Sequence, residues 1–141
     1  MLQLLPAIDG HTHAYFTYDA ETTRALPNAH RVPNMAANPI EFLKNMGRVW
    51  RIFAVEKPAL ILSTGAEIAL PVLFVAKLKR VPMVYVECGA QFERPSFTGR
   101  FMYWFANAFY VQWPELAAYY GPRARYAGSL IDTTPPGSGA P

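Results

Sequence analysis

A chain of 141 residues, 52% hydrophobic and 16% charged, has room for one packed domain and is too apolar to be a disordered segment. Its net charge of +3 suits an anionic membrane surface or phosphate-bearing ligands but argues against nucleic acid. With Cys88 as the only cysteine, an intrachain disulfide and a cysteine-based metal site are excluded, and a reducing compartment is the natural reading.

In chain order, HTHAYFTY (11–18) alternates and is rich in aromatics, which predicts a strand. Asp19–Leu26 reads as a short helix with Asp19 as N-cap. The proline-bearing run 27–37 reads as loop, with a short strand over Ala29–Val32. A helix then starts with Asn38 as cap, Pro39 at the first helical position and Glu41 three residues after the cap. Ile40, Leu43, Met46, Val49, Trp50 and Phe53 recur at helical spacing, and Pro58 marks the end. Ala59–Leu62 reads as a buried strand and STGAE as the turn after it. A helix follows from about Ile68 to Lys79, with Pro71 tolerated in its first turn. Met83–Val86 is the next strand, and Glu87–Thr98 a loop. A helix from about Gly99 to Asn107 leads to the strand Ala108–Gln112. WPELAAYYG reads as a short helix, Arg125–Ala127 as a last strand, and the Pro/Gly/Ser-rich tail 132–141 as disordered beyond a domain spanning 1–131.

Alternation of strands and helices predicts an α/β, Rossmann-like parallel sheet with helices on both faces. Ligands of such sheets bind beyond the C-terminal ends of the strands. The STGAE turn, the loop from Glu87, Gln112–Trp113 and Gly128–Ser129 all follow strands, so they are expected along one rim. The apolar stretches 58–66 and 68–76 stop at Glu67 and Lys77, far short of the about 20 residues that cross a bilayer. No signal-peptide pattern opens the chain. Membrane contact is therefore expected to be peripheral or through a partner.

The blocks PALILSTGAEIALP (58–71), VPMVYVE (81–87), SFTGR (96–100), VQWPEL (111–116) and YAGSL (126–130) resemble, in order and spacing, the Alg14-like family, including PssD-type bacterial subunits. The resemblance implies the N-terminal half of a GT-B glycosyltransferase. It also implies a separate Alg13-like or PssE-like partner that binds the nucleotide sugar, and an acceptor that is a polyprenyl or dolichyl diphosphate sugar. The implied chemistry is inverting, with no tightly bound metal or other cofactor, at the cytoplasmic face of a membrane. Ser63, Thr64 and Gly65 lead into a helix and could offer N–H donors to a diphosphate. Thr98 and Gly99 could do the same, with Arg100 as a nearby cation. Glu87, charged at the end of an apolar strand, needs a partner there: the acceptor sugar or loop backbone. Gln112, Trp113 and Glu115 read as a partner-facing or structural motif. The aromatic block FTGRFMYWFANAFY (97–110) holds more apolar material than a small core needs, so part of it is expected to rest on lipid.

Departures from the family pattern carry expectations too. The chain starts with MLQLLP (1–6), where the family has already passed a central first strand and a Gly-Gly-His loop, which predicts unpaired strand edges and no loop histidine as catalytic base. Glu67 stands where glycine is frequent, Gln91 where arginine is common and Asn107 where aspartate is frequent. The His-x-His of AIDGHTH (7–13) resembles the metal-binding opening of amidohydrolases, but that fold needs roughly 250 residues and further ligands. Cys88 reads as buried or half-buried.

Overall fold

The computed structural model describes residues 4–33, 38–65, 67–88 and 94–130. The tail 132–141 and Gln91 lie outside the described residues. A short helix α1 (Leu5–Ile8) precedes β1 (Tyr15–Tyr18) and β2 (Ala29–Val32). Then α2 (Pro39–Glu56), β3 (Ile61–Ser63), α3 (Ala69–Leu78) and β4 (Met83–Val86) alternate, followed by α4 (Phe97–Phe105), β5 (Ala108–Val111), α5 (Pro114–Tyr120) and β6 (Ala124–Tyr126).

All described strand pairs are parallel. They form a two-stranded sheet β1-β2 and a four-stranded sheet β3-β4-β5-β6. One sheet was expected; β1 and β3 are not hydrogen-bonded to each other. Both sheets nevertheless serve one core, because Phe16 of β1 packs against the main apolar cluster. That cluster joins Val49 and Phe53 of α2, Leu73 of α3, Met102 of α4 and Leu116 of α5 to Met83, Tyr85 and Phe109. The alternation of β4 explains it: Met83 and Tyr85 face the helices while Val84 and Val86 face away.

A sheet that grows in one direction through right-handed crossovers carries its connecting helices on one face, and α3, α4 and α5 do meet one cluster. The second face is met differently. There Leu62, Val84, Val86 and Tyr110 border an apolar cavity of about 310 Å³ whose lining also includes Leu4, beside α1, and the segment 127–130.

Local chemistry sets the helix ends. Asn38 Oδ1 accepts from the N–H groups of Ile40 and Glu41, and Lys57, at φ 45°, closes α2 through its N–H to Phe53 O. The helix expected over 19–26 shrinks to a 3₁₀ turn, Glu21–Thr23. Two competitors defeat it. Thr23 Oγ1 bonds back to Tyr18 O and Ala20 O, and Arg31 Nη2 takes the carbonyls of Thr23, Arg24 and Leu26. The strand expected from His11 begins only at Tyr15, because His13 turns back to His11 O.

Candidate functional site

The parallel register puts the C-termini of β3, β4, β5 and β6 on one rim. Ser63 is level with Tyr85, Val86 with Tyr110, and Val111 with Tyr126. Gly65, at φ +103°, sits so close to the end of β4 that a Cβ there would lie 3.6 Å from the Tyr85 hydroxyl and 3.7 Å from Cys88 Cβ. The Ser63–Gly65 turn and Glu87 are therefore neighbours, as the topology required. Cys88 itself is exposed, not buried, because β4 ends before it and the chain turns out of the sheet.

Glu87 is 1% exposed and its carboxylate is fully engaged. Oε1 accepts from the Cys88 N–H at 3.0 Å and the Ser96 hydroxyl at 2.9 Å; Oε2 accepts from the Tyr120 hydroxyl. Its backbone carbonyl accepts from Gln112 Nε2 at 2.9 Å, and Gln112 Oε1 accepts from Leu130 N–H at 3.0 Å. Of the two partners expected for Glu87, the structure supplies the second: loop backbone and neighbouring hydroxyls. The helix α4 adds to this, since its positive N-terminal end faces the carboxylate.

Helix α4 starts two residues earlier than expected because Ser96 caps it, accepting from Gly99 N–H at 2.8 Å. That corrects the reading of Thr98 and Gly99 as phosphate donors. Thr98 is buried, the Gly99 N–H is spent on Ser96, and a Cβ at Gly99 would overlap Glu87 Oε2 and the Tyr120 hydroxyl. The anion at this helix N-terminus is the protein's own. Arg100 is exposed on α4. Burial, reinforced by the Glu87 hydrogen bond, pushes the Tyr120 hydroxyl well above the ordinary tyrosine pKa. Ser96 and Tyr120 were missed by sequence reasoning. Ser-x-x-Gly ahead of an apolar run signals the cap, but nothing local links Tyr120 to an acid 33 residues away.

Trp113 occupies the N-cap position of α5 and packs against the core, with Glu115 exposed in the first turn. Gln112 is the structural member of that motif. Asn107 Oδ1 accepts from Met83 N–H at 3.0 Å, tying β4 to the start of β5. His11 and His13 are exposed, His13 Nε2 is bonded to the Tyr15 hydroxyl, and no group of three His, Cys, Asp or Glu placed to hold a metal exists among the described residues.

Away from the rim, the aromatic block divides by helical period. Met102 and Tyr103 are buried. Phe97, Phe101, Trp104 and Phe105 form the outer stripe, with Phe97 80% and Trp104 68% exposed. Ring contacts extend it across three helices, Phe42 to Phe74 at 6.0 Å, Phe74 to Phe101 at 6.0 Å and Phe101 to Phe105 at 4.8 Å. Ile40 and Leu43 of α2 are also exposed. Lys44, Arg48 and Arg51 line a groove on α2, and Lys79 lies over the Trp50 ring at 4.1 Å. Among the described residues no helix is long and apolar enough to cross a membrane.

Parallel strands laid down in sequence order, helices between them and a rim of β–α turns define a Rossmann-like α/β domain. The crystal structure of MurG from Acinetobacter baumannii superposes with a TM-score of 0.74 over 91% of this chain and 40% of that one, at 17% identity, a likeness of fold. The chain belongs to the Alg14-like family: the family described as "Oligosaccharide biosynthesis protein Alg14 like" matches residues 15–130. Similar curated proteins include the UDP-N-acetylglucosamine transferase subunit ALG14 of Eremothecium gossypii, 48% identical over 62 residues, 44% of this chain and 27% of that protein. The human protein of the same name is 28% identical over 115 residues, 72% of this chain and 53% of that protein. The chain thus spans about half or less of these relatives' length.

Proposed function

We propose that this chain is the acceptor-binding part of a glycosyltransferase that moves a sugar, GlcNAc or another hexose, from a nucleotide sugar onto a lipid-linked diphosphate sugar. Transfer inverts the anomeric centre and depends on an Alg13-like or PssE-like partner that binds the donor; no cofactor takes part. The observation that carries this reading is the meeting of the Ser63–Gly65 turn with the end of β4 on one rim, within a segment matched to the Alg14-like family. The turn precedes α3, whose N-cap, Ile68, has no side-chain capping bond, so backbone donors there suit a diphosphate. Arg100, exposed on α4, is the cation proposed to complete that site.

The aromatic band fits a peripheral seat on the cytoplasmic leaflet. Exposed rings bury well at the headgroup boundary, and the neighbouring Lys44, Arg48, Arg51 and Lys79 match anionic lipid. Replacing Phe97 and Trp104 together by Ser is expected to abolish flotation with anionic vesicles while leaving the fold intact. Flotation unchanged by that pair would remove the band from the membrane reading.

A second reading, a scaffold that recruits the donor-binding subunit without doing chemistry, is favoured by one observation: Glu87, the acid of the rim, is already bonded to three donors and is not free to act as a base. One experiment separates the two. The chain, co-expressed with its donor-binding subunit on membranes, is given labelled UDP-GlcNAc and a polyprenyl diphosphate sugar. Transfer that falls when Ser63 and Thr64 are both changed to Val supports acceptor binding. Transfer indifferent to that pair, but dependent on the chain's presence, supports the scaffold.

A further inference from the structure

Helix α2 carries a glycine that its own geometry does not call for. Gly47 lies in the interior of an 18-residue helix, where glycine is less favourable than any residue but proline. Its φ is not in the left-handed region, and a Cβ built there meets nothing within 4 Å. Neither backbone strain nor crowding excludes a side chain. The space left by its absence is the floor of a groove of about 340 Å³ bordered by Leu43, Lys44, Arg48 and Arg51. Positions 44, 47, 48 and 51 share one face of a helix, so three cations stand around one gap.

These cations are held in place without being neutralised. Asn45, fully buried, accepts from Arg48 Nη1 at 2.6 Å through its Oδ1, which fixes the guanidinium from inside. Glu41 pairs with Lys44 at 2.7 Å and stands 3.8 Å from Arg48. Arg51 has no ion pair among the described residues. Three positive charges against one carboxylate leave a surplus of two positive charges at the groove, which favours an anion. The surroundings indicate which anion. Leu43, a wall of the groove, and Ile40, one turn before it, are both exposed. A soluble phosphate gains nothing from them, whereas a lipid headgroup brings acyl chains for them to meet. Phe42 starts the run of ring contacts to Phe74, Phe101 and Phe105, so the groove borders the aromatic band.

We propose that the groove over Gly47, walled by Lys44, Arg48 and Arg51, is a headgroup site that takes the phosphodiester of an anionic glycerophospholipid. This rests on the membrane seat proposed above and adds to it one fixed polar contact. Glycine stands at 47 because a side chain there would occupy the place of the phosphate.

The test is partition of the full chain onto vesicles of phosphatidylcholine mixed with phosphatidylglycerol, read by sedimentation, beside melting temperatures. Gly47→Gln alters no charge and suits a helix better, so the melting temperature is expected to stay level or rise. Partition is expected to fall about fivefold, the share of one basic contact at an anionic surface. Arg51→Gln is expected to lose a similar factor. Arg125→Gln, exposed on edge strand β6, should lose under about twofold, because a charge away from the contact is screened. Three results overturn the headgroup site and leave the membrane seat standing: unchanged partition in Gly47→Gln, a lower melting temperature in that variant, which would make the glycine a demand of the fold, or equal losses in Arg51→Gln and Arg125→Gln. Inorganic phosphate that displaces the chain from vesicles better than chloride at matched ionic strength also overturns it, as a site for the free anion. A wild type that binds no vesicle, with or without phosphatidylglycerol, overturns both.

Discussion

Two β–α junctions stand side by side on the rim and are finished in opposite ways. After β4, the N-terminus of α4 is closed from within: Ser96 caps it, Glu87 supplies the anion, and Tyr120 and Gln112 hold the carboxylate and its carbonyl. After β3, the N-cap of α3 has no side-chain bond, and the turn before it, ending at Gly65, lies against the end of β4. A helix N-terminus attracts negative charge wherever it is. The difference is who supplies it. At α4 the charge is built in; at α3 it would come from the diphosphate proposed above.

The comparison is easiest to break at Gly99. A methyl group there overlaps Glu87 Oε2 and the Tyr120 hydroxyl. The carboxylate could swing aside only by giving up its bonds inside a buried site. Gly99→Ala is therefore expected to cost on the order of 3 kcal/mol or more, read as a fall in the denaturation midpoint. Glu87→Ala comes next, at about 2–3 kcal/mol, because it strands the Ser96 and Tyr120 hydroxyls; Glu87→Gln, which keeps acceptor capacity, should lose less. The two sites share one space, so the double variant should lose clearly less than the sum of the singles. Additive losses would mean that the carboxylate does not occupy the α4 N-terminus.

Gly65 probes the other junction. At φ +103° a side chain strains the backbone, but the surrounding space is ordinary van der Waals distance. Gly65→Ala should cost about 1–2 kcal/mol, less than Gly99→Ala, and should impair acceptor use far more than stability. If Gly65→Ala proved the more destabilising of the two, the roles assigned to the junctions would be exchanged.

Sequence reading found what local rules govern. Asn38-Pro39 with Glu41 fixed the start of α2, Met83–Val86 read as a strand with the bounds it has, and the turns after the strands fell on one rim by topology alone. It failed where distant residues compete. Arg31 dissolves the helix expected at 19–26 by taking its carbonyls, and no periodicity records that. On the rim, the closeness of the Ser63–Gly65 turn to the end of β4 was legible from strand order, and the need of Glu87 for a partner from a charge ending an apolar strand. Thr98 and Gly99 were misread because the cap, Ser96, lay just outside the expected helix. Gly99 looked like an open donor when it is a glycine for want of space.

The smallest effect is one invisible at neutral pH. Tyr120 and Tyr85 both hold their protons more tightly in the folded chain than tyrosine does in water, first through burial and then through Glu87. A folded-state pKa raised above the unfolded value near 10 gives stability that is complete below that pH. It is lost as pH rises above it, because the unfolded chain then releases protons that the folded one retains. The melting temperature should be flat with respect to these groups up to about pH 9 and then decline. Tyr120→Phe should lessen the alkaline decline at some cost in neutral stability, since it removes a donor to Glu87. Tyr85→Phe should lessen the decline as well. An alkaline decline unchanged in both variants would place the titration elsewhere and detach Tyr120 from Glu87, and with it the closed state of the α4 junction.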